Sequence, residues 1–300
     1  MTDQFSTGGR RNVLRALVTL LLKEAYEARM KLVVLVATLT VLSLSGLLMI
    51  FMLPTLLPPG TIEIPEFTPQ EAFLSAVDDL LQLGALLVAL VSMDAIAGER
   101  RANTLDLLLT RPVSRFSIVL SKMLVRSGII LVSVLFCAVP TWAYTLLLFG
   151  DLPFMAAIQS AFLIALALIM VAAITLVFSA LARTEIMAGV AALLTSAFLG
   201  SLAILPKPWV TLSPFHYVDL RSVLEGTITA QSYWQNVLVL ISFAVVFFFL
   251  SEMTFSLVSS ARTELVYLSV LFVVSLVILS VLVFQRFADA TEMLATVLSS

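Results

Sequence analysis

Cysteine, histidine and charge are all scarce in this chain, and each shortage removes a class of function. Cys137 is the only cysteine and lies in an apolar run, so an internal disulfide and a cysteine metal cluster are both excluded. His216 is the only histidine. With no His-Glu-x-x-His and no Gly-x-Ser-x-Gly, the sequence gives an intramembrane metalloprotease or esterase little support. A Gly-x-x-x-x-Gly-Lys-Ser/Thr loop is also missing, so the chain itself should not bind ATP by the usual phosphate cradle, and no cofactor is expected in it. Charged residues make up 12% of the sequence, against about 25% in a soluble domain. Hydrophobic residues reach 61% and the mean hydropathy is +1.10. This is the composition of a polytopic membrane protein, and nothing in it supports nucleic-acid binding. The net charge of -2 says little as a total, because placement decides what charges do beside a bilayer.

A spanning helix needs about 20 mostly apolar residues, which predicts an all-α protein with spans at about 32–53, 73–93, 127–149, 155–179, 186–205, 237–258 and 265–285. That makes seven, with 286–300 as a tail delivered outside; six spans is the alternative. Arg10, Arg11, Arg15, Lys23, Arg29 and Lys31 surround only a short apolar patch, unlike a signal peptide. Val13 to Glu27 therefore reads as an interfacial helix lying along the membrane within a cytoplasmic segment 1–31.

Orientation follows from the basic residues. The N-terminal segment has six, and residues 94–126 hold Arg100, Arg101, Arg111, Arg115, Lys122 and Arg126, whereas 54–72 and 150–154 have none. Both basic segments are expected in the cytoplasm, with the Pro-rich loop carrying Glu63, Glu66 and Glu71 outside. Phe178-Ser179, followed by Arg183-Thr184-Glu185, is echoed by Phe255-Ser256 and Arg262-Thr263-Glu264. Either this is chance, or each marks a tight helical hairpin in which Thr caps the next helix and Glu suits its first turn. The outer segment 206–236 carries Pro206, Pro208 and Pro214, and its Trp209, Tyr217, Tyr233 and Trp234 suit a headgroup-level belt. Short interfacial or re-entrant helices are expected there, one with an Arg221–Glu225 pair.

The longest polar island between apolar segments is 94–122. Residues 94–103 extend the second span and end at Asn103, a residue that tolerates a helix terminus. Thr104 then caps a short helix to Thr110 whose Leu105, Leu108 and Leu109 form an apolar stripe. Pro112 cannot continue it, and Ser114 caps the long helix carrying Arg115, Lys122 and the third span. The sequence thus predicts a rigid protruding knob joined to two spans.

At these residues the chain resembles the membrane permeases of type-2 ABC exporters. Their pattern is roughly Glu-Arg-Glu-x-Gly-Thr-Leu-x-x-Leu-Leu-x-x-Pro-Val-Ser-Arg, then Gly-Lys. Glu99, Arg100, Thr104, Leu105, Leu108, Leu109, Pro112, Val113, Ser114, Arg115 and Lys122 match, while Arg101 replaces an acid and Asn103 and Ser121 replace glycines. Arg101 removes any salt bridge that the acid would make. The family usually has six spans, so a seventh is a departure. The resemblance implies a dimeric permease in the cell membrane, made with a second copy or a related permease. It would be driven by a separate ATP-binding subunit that holds ATP and Mg and docks on Glu99, Arg100, Thr104, Leu105, Leu108, Leu109, Arg111, Pro112 and Arg115. Nothing in the spans chooses a substrate.

Intramembrane charges are costly and often functional. Asp78 and Asp79 near the outer end of the second span, and Glu252 late in the sixth, suit either a polar path or gate, or else snorkelling to the interface or pairing with a nearby Arg. Pro140 is expected to bend the third span, and Phe247, Phe248 and Phe249 to face lipid or neighbouring helices. A secondary transporter would use paired interrupted spans, which are not visible, and a membrane assembly factor without transport activity is the further alternative.

Overall fold

The computed structural model describes residues 4–56, 67–102, 114–204, 209–258, 272–281 and 283. Long α-helices dominate: α1 Gln4–Leu56, α2 Pro69–Ser92, α3 Asp94–Arg101, α4 Arg115–Leu148, α5 Phe154–Leu181, α6 Glu185–Ser201, α7 Leu220–Leu224 and α8 Ala230–Val258. An apolar helix, α9, covers Phe272–Val281. Among the described residues, six helices are long and apolar enough to cross a membrane, with α2 and α3 counted together. They correspond in order to the first six expected spans. Of the expected seventh, 265–271, 282 and 284–285 lie outside the described residues, as do 286–300 and the second turn of the echo.

α5 is the central helix. It packs against α2, α4, α6 and α8, and nearly every residue from Leu163 to Ala180 is buried. It is apolar around its whole circumference, as a fully enclosed helix must be. Ala157, Ala161, Ala165, Ala172 and Ala173 are buried along it, letting neighbouring backbones approach closely. Gly84 of α2 serves the same end, since a Cβ there would lie 3.2 Å from Leu168 Cδ1. The outer helices show the opposite pattern. Ile186, Val190, Leu194 and Phe198 of α6 are exposed at four-residue spacing, an apolar stripe that is an ordinary surface in lipid and a liability in water.

Helix boundaries follow local chemistry. Thr68 and Glu71 form a reciprocal capping box at the start of α2, with Pro69 in its first turn. Ser114 Oγ accepts from Ser117 N at 3.2 Å to open α4, and Thr184 Oγ1 accepts from Met187 N at 3.4 Å to open α6, both as the sequence predicts. Gly150, at φ 109°, makes the turn from α4 to α5. Trp142 Nε1 donates to Leu152 O across that turn at 2.9 Å. Pro140 lies within α4 without ending it. One turn before it, Cys137 O accepts from Thr141 Oγ1 at 2.8 Å, and that hydroxyl also meets Ser43 Oγ of α1 at 2.7 Å.

Three features differ from expectation. The predicted interfacial helix is not separate: α1 runs unbroken from Gln4 to Leu56, because no Gly or Pro stands between Arg10 and Ser45 to interrupt it. At 53 residues it is about 80 Å long, more than twice the roughly 30 Å hydrocarbon core. In the outer segment the expected short helices are present as turns at Trp209–Leu212 and Pro214–Tyr217, followed by α7. Two of the expected belt aromatics nevertheless point inward: Tyr217 is fully buried with its hydroxyl donating to Thr211 O at 3.0 Å, and Tyr233 donates to Gln159 O of α5 at 3.3 Å. Trp234 alone of the described three is exposed. The Arg221–Glu225 ion pair does not form among the described residues, because α7 ends at Leu224 and Glu225 acts as its C-cap.

Candidate functional site

The polar island is described on both sides of residues 103–113, and each side is tied down by charge. On α4, Lys122 and Arg126 are four residues apart and share one face. Both are buried, with side chains only 4% and 8% exposed. Buried cations are tolerated when they are paired, and the partners come from two other helices. Lys122 Nζ donates to Glu99 Oε1 of α3 at 2.6 Å and to Glu24 Oε2 of α1 at 3.3 Å. Arg126 donates to Glu24 Oε1 at 2.9 Å and to its own helix at Lys122 O, and its second terminal nitrogen lies 3.7 Å from Asp94. Lys31 of α1 completes the network, donating to Asp94 Oδ1 at 2.7 Å. One face each of α1, α3 and α4 is thereby joined by alternating charges, around a cavity of about 420 Å³ whose lining continues onto Leu35, Val88 and Ile130.

A second set of contacts fixes α3 to α5. Arg100 donates to Ala180 O at 2.8 Å and to Ala182 O at 3.0 Å, carbonyls at a helix end that otherwise lack an intrahelical partner. Ser179 Oγ accepts from Ile96 N and Ala97 N at 2.9 and 3.0 Å and donates to Met93 O at 2.9 Å. Met93 is where α2 gives way to α3. Ala95 and Ile96 pack into a buried cluster with Val119, Ala173, Leu176, Phe248 and Phe255.

Of the residues singled out by sequence, the structure brings Glu99 and Arg100 into these anchoring contacts. Both are half-buried. Arg115 is the first residue of α4 and is half-buried. Thr104, Leu105, Leu108, Leu109, Arg111 and Pro112, with Asn103, lie outside the described residues. Arg101 does not abolish pairing at its position. It reverses the sign and lies 3.7 Å from Glu185 of α6, although with its side chain 77% exposed such a pair is worth little.

Glu252 is fully enclosed at 0% exposure, one turn from Phe248 and Phe255 of the buried cluster. Asp78 is exposed and Asp79 half-buried, and a Cβ on Gly46 of α1 would lie 3.0 Å from Asp79 Oδ2. Neither aspartate belongs to the charge network. Phe247 and Phe249 pack beside Phe248 against the cluster, facing neighbouring helices. Sequence reasoning missed Glu24, Lys31, Asp94, Arg126 and Ser179 as anchoring residues. The only local signal was the Lys122–Arg126 spacing, two cations on one apolar helix face with no acid nearby in sequence.

Residues 18–286 match the family described as ABC-2 family transporter protein. No curated protein matches the chain. The match runs from α1, which supplies Glu24, through all six long helices and both anchors of residues 103–113. Members of that family are the membrane components of ABC transporters, which act with ATP-binding partners, and the chain belongs to it as a multi-pass membrane permease.

Proposed function

We propose that the chain is the permease of an ATP-driven exporter in the cell membrane, and that a separate ATP-binding subunit, which holds ATP and Mg, docks on residues 103–113. The observation that carries this reading is the anchoring on either side of that segment. α3 before it is bonded to α5, and α4 after it is bonded through Lys122 to α3 and α1. A segment that only joined two spans would need no such footing, whereas one that receives force needs a base that moves as a unit. Charge asymmetry supports an orientation with the N-terminus and residues 94–126 in the cytoplasm. A second permease, identical or related, completes the pathway across the bilayer. Glu252, enclosed at 0% exposure in α8, is a further candidate for the polar path.

Co-purification tests the partner. Recovery of the tagged permease in mild detergent should bring down a subunit carrying a Gly-x-x-x-x-Gly-Lys-Ser/Thr loop; its consistent absence would reject the docking role. Thiol labelling tests the orientation. In a Cys137→Ala background, single cysteines placed at Thr61 and Thr227 should react with an impermeant reagent in intact cells, and one at Asn103 should be protected. Labelling at position 103 from outside would invert the topology. A cysteine at Thr291 separates six spans from seven: labelled, the tail is outside; protected, it is not.

A further inference from the structure

α3 is tied to α1 and α4 by charged side chains, but the amides of its first turn have two possible partners, α2, which it continues in sequence, and α5, which it meets in space. We infer that Ser179 makes α3 an extension of α5, so that displacement arriving from residues 103–113 is delivered to the central helix and not along α2. The inference rests on the docking role proposed above. In an uninterrupted helix the amides of Ile96 and Ala97 would donate to the carbonyls of Ser92 and Met93. Here both amides donate to Ser179 Oγ, and Met93 O accepts from the same hydroxyl. A hydroxyl has one donor and two acceptor positions, and this one uses all three on a single turn of the neighbouring helix. Insertion of a side chain into the ladder is a recognised cause of a helix break. The break in the ladder falls at Met93, where no Pro or Gly stands to make it. Met93 keeps helical torsions and its own amide still bonds Ala89 O, so the joint is continuous in course, and what passes to α5 is the bonding of the Ile96 and Ala97 amides and of the Met93 carbonyl.

Two further sets of contacts point the same way. Arg100 bonds two carbonyls at the end of α5, Ala180 O and Ala182 O, and Ala95 and Ile96 share a buried cluster with Ala173, Leu176 and Ala180. Ser179, with no exposure, is therefore a positioning residue. Ser179→Ala should not unfold the protein, because the freed amides can close onto the carbonyls of their own helix; it should restore a continuous ladder across the joint.

Hydrogen exchange read by mass spectrometry, on the permease purified together with its ATP-binding subunit, tests this with and without a non-hydrolysable ATP analogue. In the unaltered complex the analogue should change exchange in 94–101 and in 173–182 by about fivefold or more, the scale of opening one hydrogen-bonded turn. In Ser179→Ala the complex should still assemble and 94–101 should still respond, but the response should leave 173–182 and appear in 83–93. Ser160→Ala is the control: among the described residues that hydroxyl bonds only to Ala156 O of its own helix, at 2.9 Å, and its loss should leave the pattern unchanged. A response in Ser179→Ala that still reaches 173–182 overturns the joint. So does a response in the unaltered complex confined to α2 and α3, whatever the variant does. Failure of the ATP-binding subunit to co-purify with the unaltered permease overturns the docking reading itself, and this inference with it.

Discussion

Lys122→Met should destabilise the folded permease by about 1.5–3 kcal/mol, the worth of hydrogen bonds to charged groups, because it removes the buried cation that joins Glu24 to Glu99. Lys122 is 3% exposed and is the only residue bonded to both Glu24 and Glu99 among the described residues. Methionine fills nearly the same volume and supplies no charge, so the loss reports electrostatics and not a cavity. Glu24 keeps Arg126, and of the two bonds lost the one to Glu99 is the shorter, at 2.6 Å. Adding Glu99→Gln to Lys122→Met should recover a substantial part of the stability, since a neutral amide costs far less to bury than a carboxylate. The measurement is thermal or denaturant unfolding of the purified protein in detergent, comparing both variants with the unaltered chain. Unchanged unfolding of Lys122→Met would mean that water screens the network and that it anchors nothing. A double variant no better than the single would place the penalty elsewhere than on Glu99.

Leu108→Asp should abolish recovery of the ATP-binding subunit while the permease still inserts in the membrane. Leu108 lies outside the described residues, so this expectation rests on the sequence: Leu105, Leu108 and Leu109 at helical spacing before Pro112. A leucine stripe on a cytoplasmic segment needs a cover. Full burial of one leucine is worth roughly 1.5–3 kcal/mol, and an unpaired aspartate in its place costs at least that, about a tenfold or greater loss of affinity. If the stripe instead lay on the bilayer, subunit recovery and ATP hydrolysis would survive the substitution, and docking at this segment would be refuted.

The legible parts of this fold are those whose cause is local. Twenty-residue apolar runs placed the six long helices, and Ser114 and Thr184 cap where expected because a cap needs only its own next three residues. The charge network was not legible because its members are far apart in sequence: Arg126 meets Glu24 across 102 positions and Lys31 meets Asp94 across 63. Nothing in a single chain of letters pairs them. Glu99 and Arg100 stood out through their resemblance to a family pattern, which marks a position without saying what the side chain touches. Both turn inward. Ser179 was visible only as part of a short echo, and Tyr217 only as an aromatic in an outer segment. Their burial depends on which helix passes beside them, which local spacing does not encode.

The unbroken course of α1 carries a consequence of scale. Glu24 and Lys31 hold the helix to α3 and α4 near its middle, with twenty residues from Gln4 to Glu24 and twenty-five from Lys31 to Leu56. Those arms measure about 30 and 38 Å. The second arm is packed against α2 and α4 through Ser43 and Leu47, so a bend of only about 10° at the charge network would sweep the Gln4 end through about 5 Å, one helical turn. Changes of a few degrees at the charge network thus become displacements as large as a side chain at the N-terminal end of this helix.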